Sequence, residues 1–425
     1  MTTFSGIDHI TVYDGTPRSL VKPAKLAHVA AHDGEDATAN ALRGLLRNAC
    51  KYNVSRLDNM PGYFIGNVNG TNQASNEYGA RAACEAVYGI SVCSALGAWD
   101  ETACGMTEAT AVGKCATVIA ALCTQYESYA AWAYTWQAAS WAALLAKAVW
   151  LLWDDLPWAT QRRASAVVEA EATRILASTT EYWNGTDDTP GETVAWNATI
   201  LQAARAMMPQ HPSAASWRAK EIELELAANS RPSDMTSETV IDGTAVGSWI
   251  DGYNVAEDGM VINHGIVHPD YMQAIIMFLQ QAKVTYLLSD ASESASCDFR
   301  CEDQWQVLTA KNWATPAYDS PGGTVYAQDG SYHLYYPEGN DWAENDIRQD
   351  IYLLADVFAL KAGWDSTVTE TAADWVAARI AQLQTMHARH EDGHLYADGE
   401  FDWGPKETFA GWMFADAYLS YRGAA

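Results

Sequence analysis

Basic residues are what this chain has least of: 26 lysines and arginines stand against 53 aspartates and glutamates, a formal net charge of −27 over 425 residues. Nucleic acids and anionic membrane surfaces are bound through clustered positive charge, so this balance argues against both as partners. Long apolar runs are missing as well. The most apolar segment, Ala138–Leu152, is interrupted by Ser140 and Lys147 and falls short of the roughly 20 residues that cross a bilayer; it reads as a buried helix. The opening residues, MTTFSGIDHITVYDG, hold neither a basic start nor an apolar core, so a secretory leader is expected to have been removed already. There is no CxxC pair, which argues against a thiolate zinc knuckle. No compositional shift or flexible linker divides the chain, and a single domain over residues 1–425 is expected.

Two features present point outside the cell. The eight cysteines include a cluster, Cys84, Cys93, Cys104, Cys115 and Cys123, and the close pair Cys297/Cys301; an even count suits up to four disulfides. Asn-x-Ser/Thr sequons occur at Asn53, Asn69, Asn184 and Asn197, of which Asn197 reads as helical and half-buried. The expectation is a secreted, disulfide-bonded glycoprotein.

Apolar residues recur at helical spacing through most of the chain, as with Ala39, Leu42, Leu45, Leu46 and Ala49 between Asp36 and Tyr52. Helices are expected at Asn76–Leu96, Met106–Tyr126, Trp136–Leu156, Pro157–Tyr182, Ser213–Asn229, Tyr271–Leu288, Glu302–Asn312, Asp346–Ala362, Thr367–His390 and Lys406–Tyr421, with another around Val194–Ala204. A long loop is expected over Asn53–Gln73. Asp242-Gly243 marks a hairpin at Thr239–Ala245, and Gly322 to Tyr336 reads as a second β-hairpin. About a dozen helices in hairpin units of roughly 40 residues form either an open solenoid or a closed ring. Polar capping repeats are lacking, so the expected fold is all-α: one (α/α) toroid of six or seven hairpins with a small β-hairpin insertion.

The stretch that concentrates chemistry is Glu257–Tyr271, EDGMVINHGIVHPDY. It gathers Glu257, Asp258, Asn263, His264, His268, Asp270 and Tyr271 where Gly259, Gly265 and Pro269 prevent a regular helix. Catalytic groups tend to sit on such loops of a rigid scaffold. His268 precedes Pro269 and is pushed out of helical geometry. The i, i+4 pair His264/His268 therefore does not read as a helical metal motif, the zincin glutamate is missing, and no metal is expected. Eighteen tryptophans and 21 tyrosines are present. Trp183, Trp249, Trp313, Trp342 and Trp403 lie in polar loops, where aromatic faces can stack on sugar rings.

The Asn263-His264 pair, Glu257 before it and a loop tyrosine one hairpin later, Tyr318 in NWATPAYDSPGG, resemble the polysaccharide lyases built on α/α toroids. These alginate, glucuronan and heparinase-like enzymes cleave uronate polymers by β-elimination. The resemblance implies that Asn263, His264 and Glu257 stabilise the charge developing on the substrate carboxylate. It also implies that Tyr318 takes the C5 proton and returns one to the leaving oxygen. The arginine that often precedes the family's tyrosine is absent, and Lys311 stands in that neighbourhood. Tyr253 and Tyr271 are the competing tyrosines. Lys311, Trp313, Glu338, Asp341, Trp342, Glu192, Tyr271 and His268 are the expected substrate contacts. The chemistry requires no cofactor and leaves room for a structural calcium at an acidic loop. The rival reading is glycoside hydrolysis by two carboxylic groups drawn from Glu192, Glu257, Asp258, Glu338 and Asp341, and −27 suits a neutral sugar better. A non-catalytic glycan-binding scaffold is the third reading.

Overall fold

A computed structural model describes residues 20–30, 36–60, 77–127, 132, 136–314, 316–341, 346–364 and 368–423. The chain is all-α. Its described helices are α1 (Leu26–Ala30), α2 (Ala37–Arg56), α3 (Ala82–Ala95), α4 (Glu101–Cys104), α5 (Glu108–Glu127), α6 (Ala138–Leu151), α7 (Trp158–Leu176), α8 (Gly191–Met207), α9 (Ala214–Asn229), α10 (Pro269–Tyr286), α11 (Cys301–Ala310), α12 (Gln349–Ala362), α13 (Ala372–His387) and α14 (Lys406–Gly423). Two antiparallel hairpins of two-residue strands interrupt them: β1 (Val240–Ile241) with β2 (Thr244–Ala245), and β3 (Ile262–Asn263) with β4 (Ile266–Val267).

Two kinds of helix alternate. Every residue of α6 is buried, and nearly all of α3, α8, α10, α12 and α14 is too. A helix apolar on all sides belongs in a core. By contrast α2 buries one stripe, Ala39, Leu42, Leu45, Leu46, Ala49, Cys50, Asn53 and Val54, the stripe its apolar spacing predicts. The buried helices are sequential neighbours: α3 packs on α6, α6 on α8, α8 on α10, α10 on α12, α12 on α14, and α14 on α3. The one-sided helices lie against them, α7 on α6 and α8, α9 on α8, α11 on α10, and α13 on α12.

Polar groups bind the buried helices together. Asp416 on α14 accepts from Tyr88 Oη on α3, from Trp412 Nε1 and, at 2.6 Å, from Gln281 Nε2 on α10. Lys147 of α6 donates to Gln281 and lies 4.0 Å from Asp416. Helix ends are capped as their residues dictate: the Asp36 carboxylate accepts from Ala39 N–H at 2.9 Å, and Thr371 and Asp374 form a capping box on α13.

Several expectations change. The hairpin expected over Gly322–Tyr336 is reduced to isolated bridges, Trp313 with Gly323 and Tyr326 with Leu334, because the left-handed residues Gly322, Gly323, Gly330 and Tyr332 break the ladder. The loop expected from Asn53 begins later, since α2 runs on to Arg56 and a 3₁₀ turn covers Leu57–Asn59; residues 61–76, with Asn69, lie outside the described residues. Asn53 is buried on α2 and cannot present a glycan, whereas Asn184 is exposed in a loop. None of the eight cysteines forms a disulfide, and all are buried in the core. Cys301 opens α11 and donates to the Cys297 carbonyl, so the close pair serves a helix start in place of the expected disulfide.

Candidate active site

The site grows from the turn after β3. His264 and Gly265 both have positive φ, 54° and 75°, the signature of the two-residue type I′ turn that matches the twist of a hairpin. Gly accepts that backbone freely, and His is among the few other residues found there. The turn lifts the His264 ring outward, and the strand pair β3–β4 returns the chain to His268. That residue is extended (φ −117°, ψ 98°) and caps α10, with Pro269 as first helical residue. The restriction a proline places on its predecessor is thus met as expected.

Three side chains from this short segment converge with one from a distant loop. His264 Nδ1 lies 2.7 Å from Asp341 Oδ2, and His268 Nε2 lies 3.3 Å from Asp341 Oδ1. On the far side of the His264 ring, Nε2 lies 3.1 Å from the Tyr271 hydroxyl. The rings of His264, His268 and Tyr271 meet edge to face, with centroids 4.8–5.7 Å apart. Burial raises the Tyr271 phenol above its ordinary value, helped by the carboxylates of Glu192, Asp270 and Asp341. Burial likewise lowers His268. Burial works to raise Asp341, but the hydrogen bond from His264 and the charge of both imidazoles hold it below the usual carboxylate range.

Tyr271 and His264 open onto a cavity of about 230 Å3. Most of its walls come from around the starts of the buried helices: Trp136 and Gln137 before α6, Glu192 on α8, Asp270 and Tyr271 on α10, Arg348 before α12, and Trp403 and Phe409 around the start of α14. Arg81, at the end of a π-helical turn (Glu77–Arg81) that runs into α3, and Met277 and Phe278 farther along α10 complete them. Arg81 donates to Glu85 at 2.7 Å and to Gln137 at 2.8 Å, and its guanidinium lies over Trp403. Arg348 is fixed by Asp270 at 3.3 Å and lies over Phe401. Asp270 also accepts from Tyr336 and Tyr352 at 2.7 Å. Its burial is opposed by Arg348 first, and its carboxyl stays below the ordinary value. Trp136 stands 63% exposed at the rim, packed edge to face on Trp196.

The remaining expected site residues are placed elsewhere. Tyr318 packs edge-on against Trp313 and is not among the cavity's lining residues; burial raises its phenol, with Glu338 and Asp258 adding to the effect. Trp313 is fully buried and cannot offer its face to a sugar. Lys311 binds Asp258 at 2.5 Å and covers the Trp313 ring. Glu257 accepts from the backbone and hydroxyl of Ser233, the contacts that lower its carboxyl. Asn263 reaches the Thr189 carbonyl at 3.5 Å, and Glu338 accepts from Val267 N–H at 2.6 Å, bracing β4. Tyr253 packs on Trp183. Trp342 lies outside the described residues. Of the expected residues, then, His264, His268, Tyr271, Asp341 and Glu192 are brought to one place.

Arg81 was not anticipated, although an arginine directly before the apolar run AACEAVYGISVC carries a signal: a charge there must be buried and given partners. The chain matches no known protein family, no characterised protein and no solved structure.

Proposed function

We propose that the helices close into a single (α/α)6 toroid and that the protein is a polysaccharide lyase, cleaving a uronate-containing polymer by β-elimination with Tyr271, in place of Tyr318, at the reacting carbon. The cyclic succession of contacts among α3, α6, α8, α10, α12 and α14 supports the toroid. One observation carries the lyase reading: the Tyr271–His264–Asp341 chain opens on a cavity lined near the N-termini of five helices, α6, α8, α10, α12 and α14, and by two arginines. Each N-terminus carries partial positive charge, worth about 0.3–1 kcal/mol to a nearby anion. These helix ends and the two arginines offset the lining carboxylates Glu192 and Asp270 within a protein whose net charge is −27, which supports room for a substrate carboxylate.

The hydrogen-bond chain supplies the proton chemistry. Asp341 accepts from His264 Nδ1–H and so fixes the tautomer whose Nε2 accepts from Tyr271. Tyr271 is raised by burial and keeps its proton at neutral pH, so it needs His264 as acceptor to act as a base. As Tyr271 passes its proton to His264, its oxygen takes the proton from C5 of the uronate. The electrons of that C5–H bond form the C4–C5 double bond, the C4–O4 bond breaks, O4 takes the proton from Tyr271, and His264 returns its proton to the Tyr271 oxygen. Arg81 and the helix ends replace Asn263 and Glu257 as stabilisers of the carboxylate charge that builds at the transition state. Trp136, exposed at the rim, offers its ring to a neighbouring sugar. An extracellular polymer as substrate keeps secretion within the proposal. Glu192 lines the same cavity and, with Asp341, supports glycoside hydrolysis as the second reading.

The test is ultraviolet absorbance during incubation with glucuronan, alginate and a neutral glucan in parallel. Rising absorbance on a uronate polymer, lost in Tyr271→Phe and kept in Tyr318→Phe, establishes the proposal. New reducing ends without absorbance reject elimination in favour of Glu192 and Asp341 as a hydrolytic pair.

A further inference from the structure

The convergence of His264, His268 and Asp341 has a second chemical use, an alternative to the relay described above. We propose that these three side chains form a binding site for one divalent transition-metal ion of the zinc or cobalt(II) class. One ligand atom from each lies within 4.8 Å of the others. Around a tetrahedral ion with bonds of about 2.0–2.1 Å, donor atoms stand about 3.4 Å apart. The two contacts, 2.7 Å for His264 Nδ1 to Asp341 Oδ2 and 3.3 Å for His268 Nε2 to Asp341 Oδ1, fall somewhat inside that spacing. Small rotations of the Asp341 side chain would admit the ion, and that side chain is 46% exposed.

Two imidazoles and one carboxylate are the ligand set that borderline divalent cations take in sites with open positions. Calcium and magnesium prefer all-oxygen shells and are poorly served here. A support of the kind expected behind such ligands is present at His264. The Tyr271 hydroxyl holds the outer nitrogen of His264 at 3.1 Å, the kind of contact that orients a metal-bound imidazole. His268 is fully buried and immobilised between the helix start and the Tyr271 ring. His264 and Asp341 are both partly open to solvent, which gives the ion an entry path and leaves coordination positions for water. The ligands come from a turn, a helix cap and a loop more than 70 residues away, so an ion would also cross-link the β3–β4 hairpin to that loop. Coordination through His264 Nδ1 leaves the ring proton on Nε2, directed at Tyr271, the reverse of the relay in the lyase reading. Ion and relay therefore exclude each other.

The experiment reads binding without substrate. Chelator-treated, dialysed protein is titrated with cobalt(II) and followed by its visible d–d absorption, and in parallel with zinc by calorimetry. One ion per chain is expected, with no thiolate charge-transfer band. Asp341→Asn and His264→Asn, both at partly exposed positions, should each weaken binding at least about 10-fold, while Asp258→Asn, an exposed carboxylate elsewhere, should not. Circular dichroism verifies that each variant is folded. Absence of saturable binding overturns the proposal, as does saturable binding that both ligand variants retain. Failure of the lyase assay leaves this readout unaffected.

Discussion

Two carboxylates join buried helices to polar partners, and they differ in nearly every other respect. Asp416 lies in the interior, fully enclosed, with Tyr88, Trp412, Gln281 and Lys147 converging on it from four helices. Asp341 lies on a loop, half exposed, and faces two histidines on one side of a cavity. The first arrangement has its protons fixed by donors that also bind one another, as Lys147 does Gln281. In the second, a proton can move, because the histidine beside it bridges to a phenol that faces open space. Burial with rigid donors makes a polar group structural, and exposure beside a titratable chain makes it chemical.

This contrast can be broken most sharply at Tyr271. Tyr271→Phe keeps the packing and deletes the hydroxyl, and should lower activity on the uronate polymer by about 10²–10⁴-fold with little change in melting temperature. Asp416→Ala should do the opposite. It strands Lys147, a buried cation already pushed down by its burial, and should cost about 3–5 kcal/mol of stability, read by chemical denaturation.

A pH titration sharpens the same division. His387 on α13 is buried, and burial lowers it to about 4 from 6.5. The unfolded chain then binds a proton the folded chain refuses, so stability falls as pH drops from about 6.5 towards 4, by about 3 kcal/mol in all. His387→Leu should flatten that part of the stability–pH curve. Asp341→Asn should reduce activity on the order of 10²-fold through the His264 tautomer and leave the denaturation midpoint nearly in place. The smallest effect belongs to Tyr318→Phe, expected within about two-fold of wild-type activity, since its ring packs on Trp313 outside the cavity. A large loss there would return the base to Tyr318 and reverse the comparison.

The helices were legible because burial writes a 3.6-residue period into them. The expected Met106–Tyr126 is Glu108–Glu127 in the structure, and Lys406–Tyr421 is Lys406–Gly423. The Asp242-Gly243 hairpin was legible from its turn residues. The equivalent turn at His264-Gly265 was not, because a histidine in a left-handed position is a weak signal beside Asn-Gly or Asp-Gly. The stretch around His264 drew notice through its density of titratable groups, and Asp341 through the string it sits in. Tyr318 was reached by counting one hairpin along the chain, which yields a distance in sequence but no direction in space. Tyr271, seven residues from His264, reads as a packed helical residue; its side chain is indeed buried, and only its hydroxyl emerges. Arg81 and Arg348 enter the cavity from helices far apart in sequence, and no local pattern marks helix ends that meet only after the chain has folded.

The five helix starts around the cavity have a consequence for how this protein can change over generations. Their positive character belongs to peptide groups, which every residue carries alike. Surface side chains can drift, and the acidic excess can grow or shrink, without altering what the cavity attracts. Selection for an anionic guest would then act weakly on individual residues and strongly on helix boundaries. Insertions that displace a first turn would be removed sooner than substitutions within it.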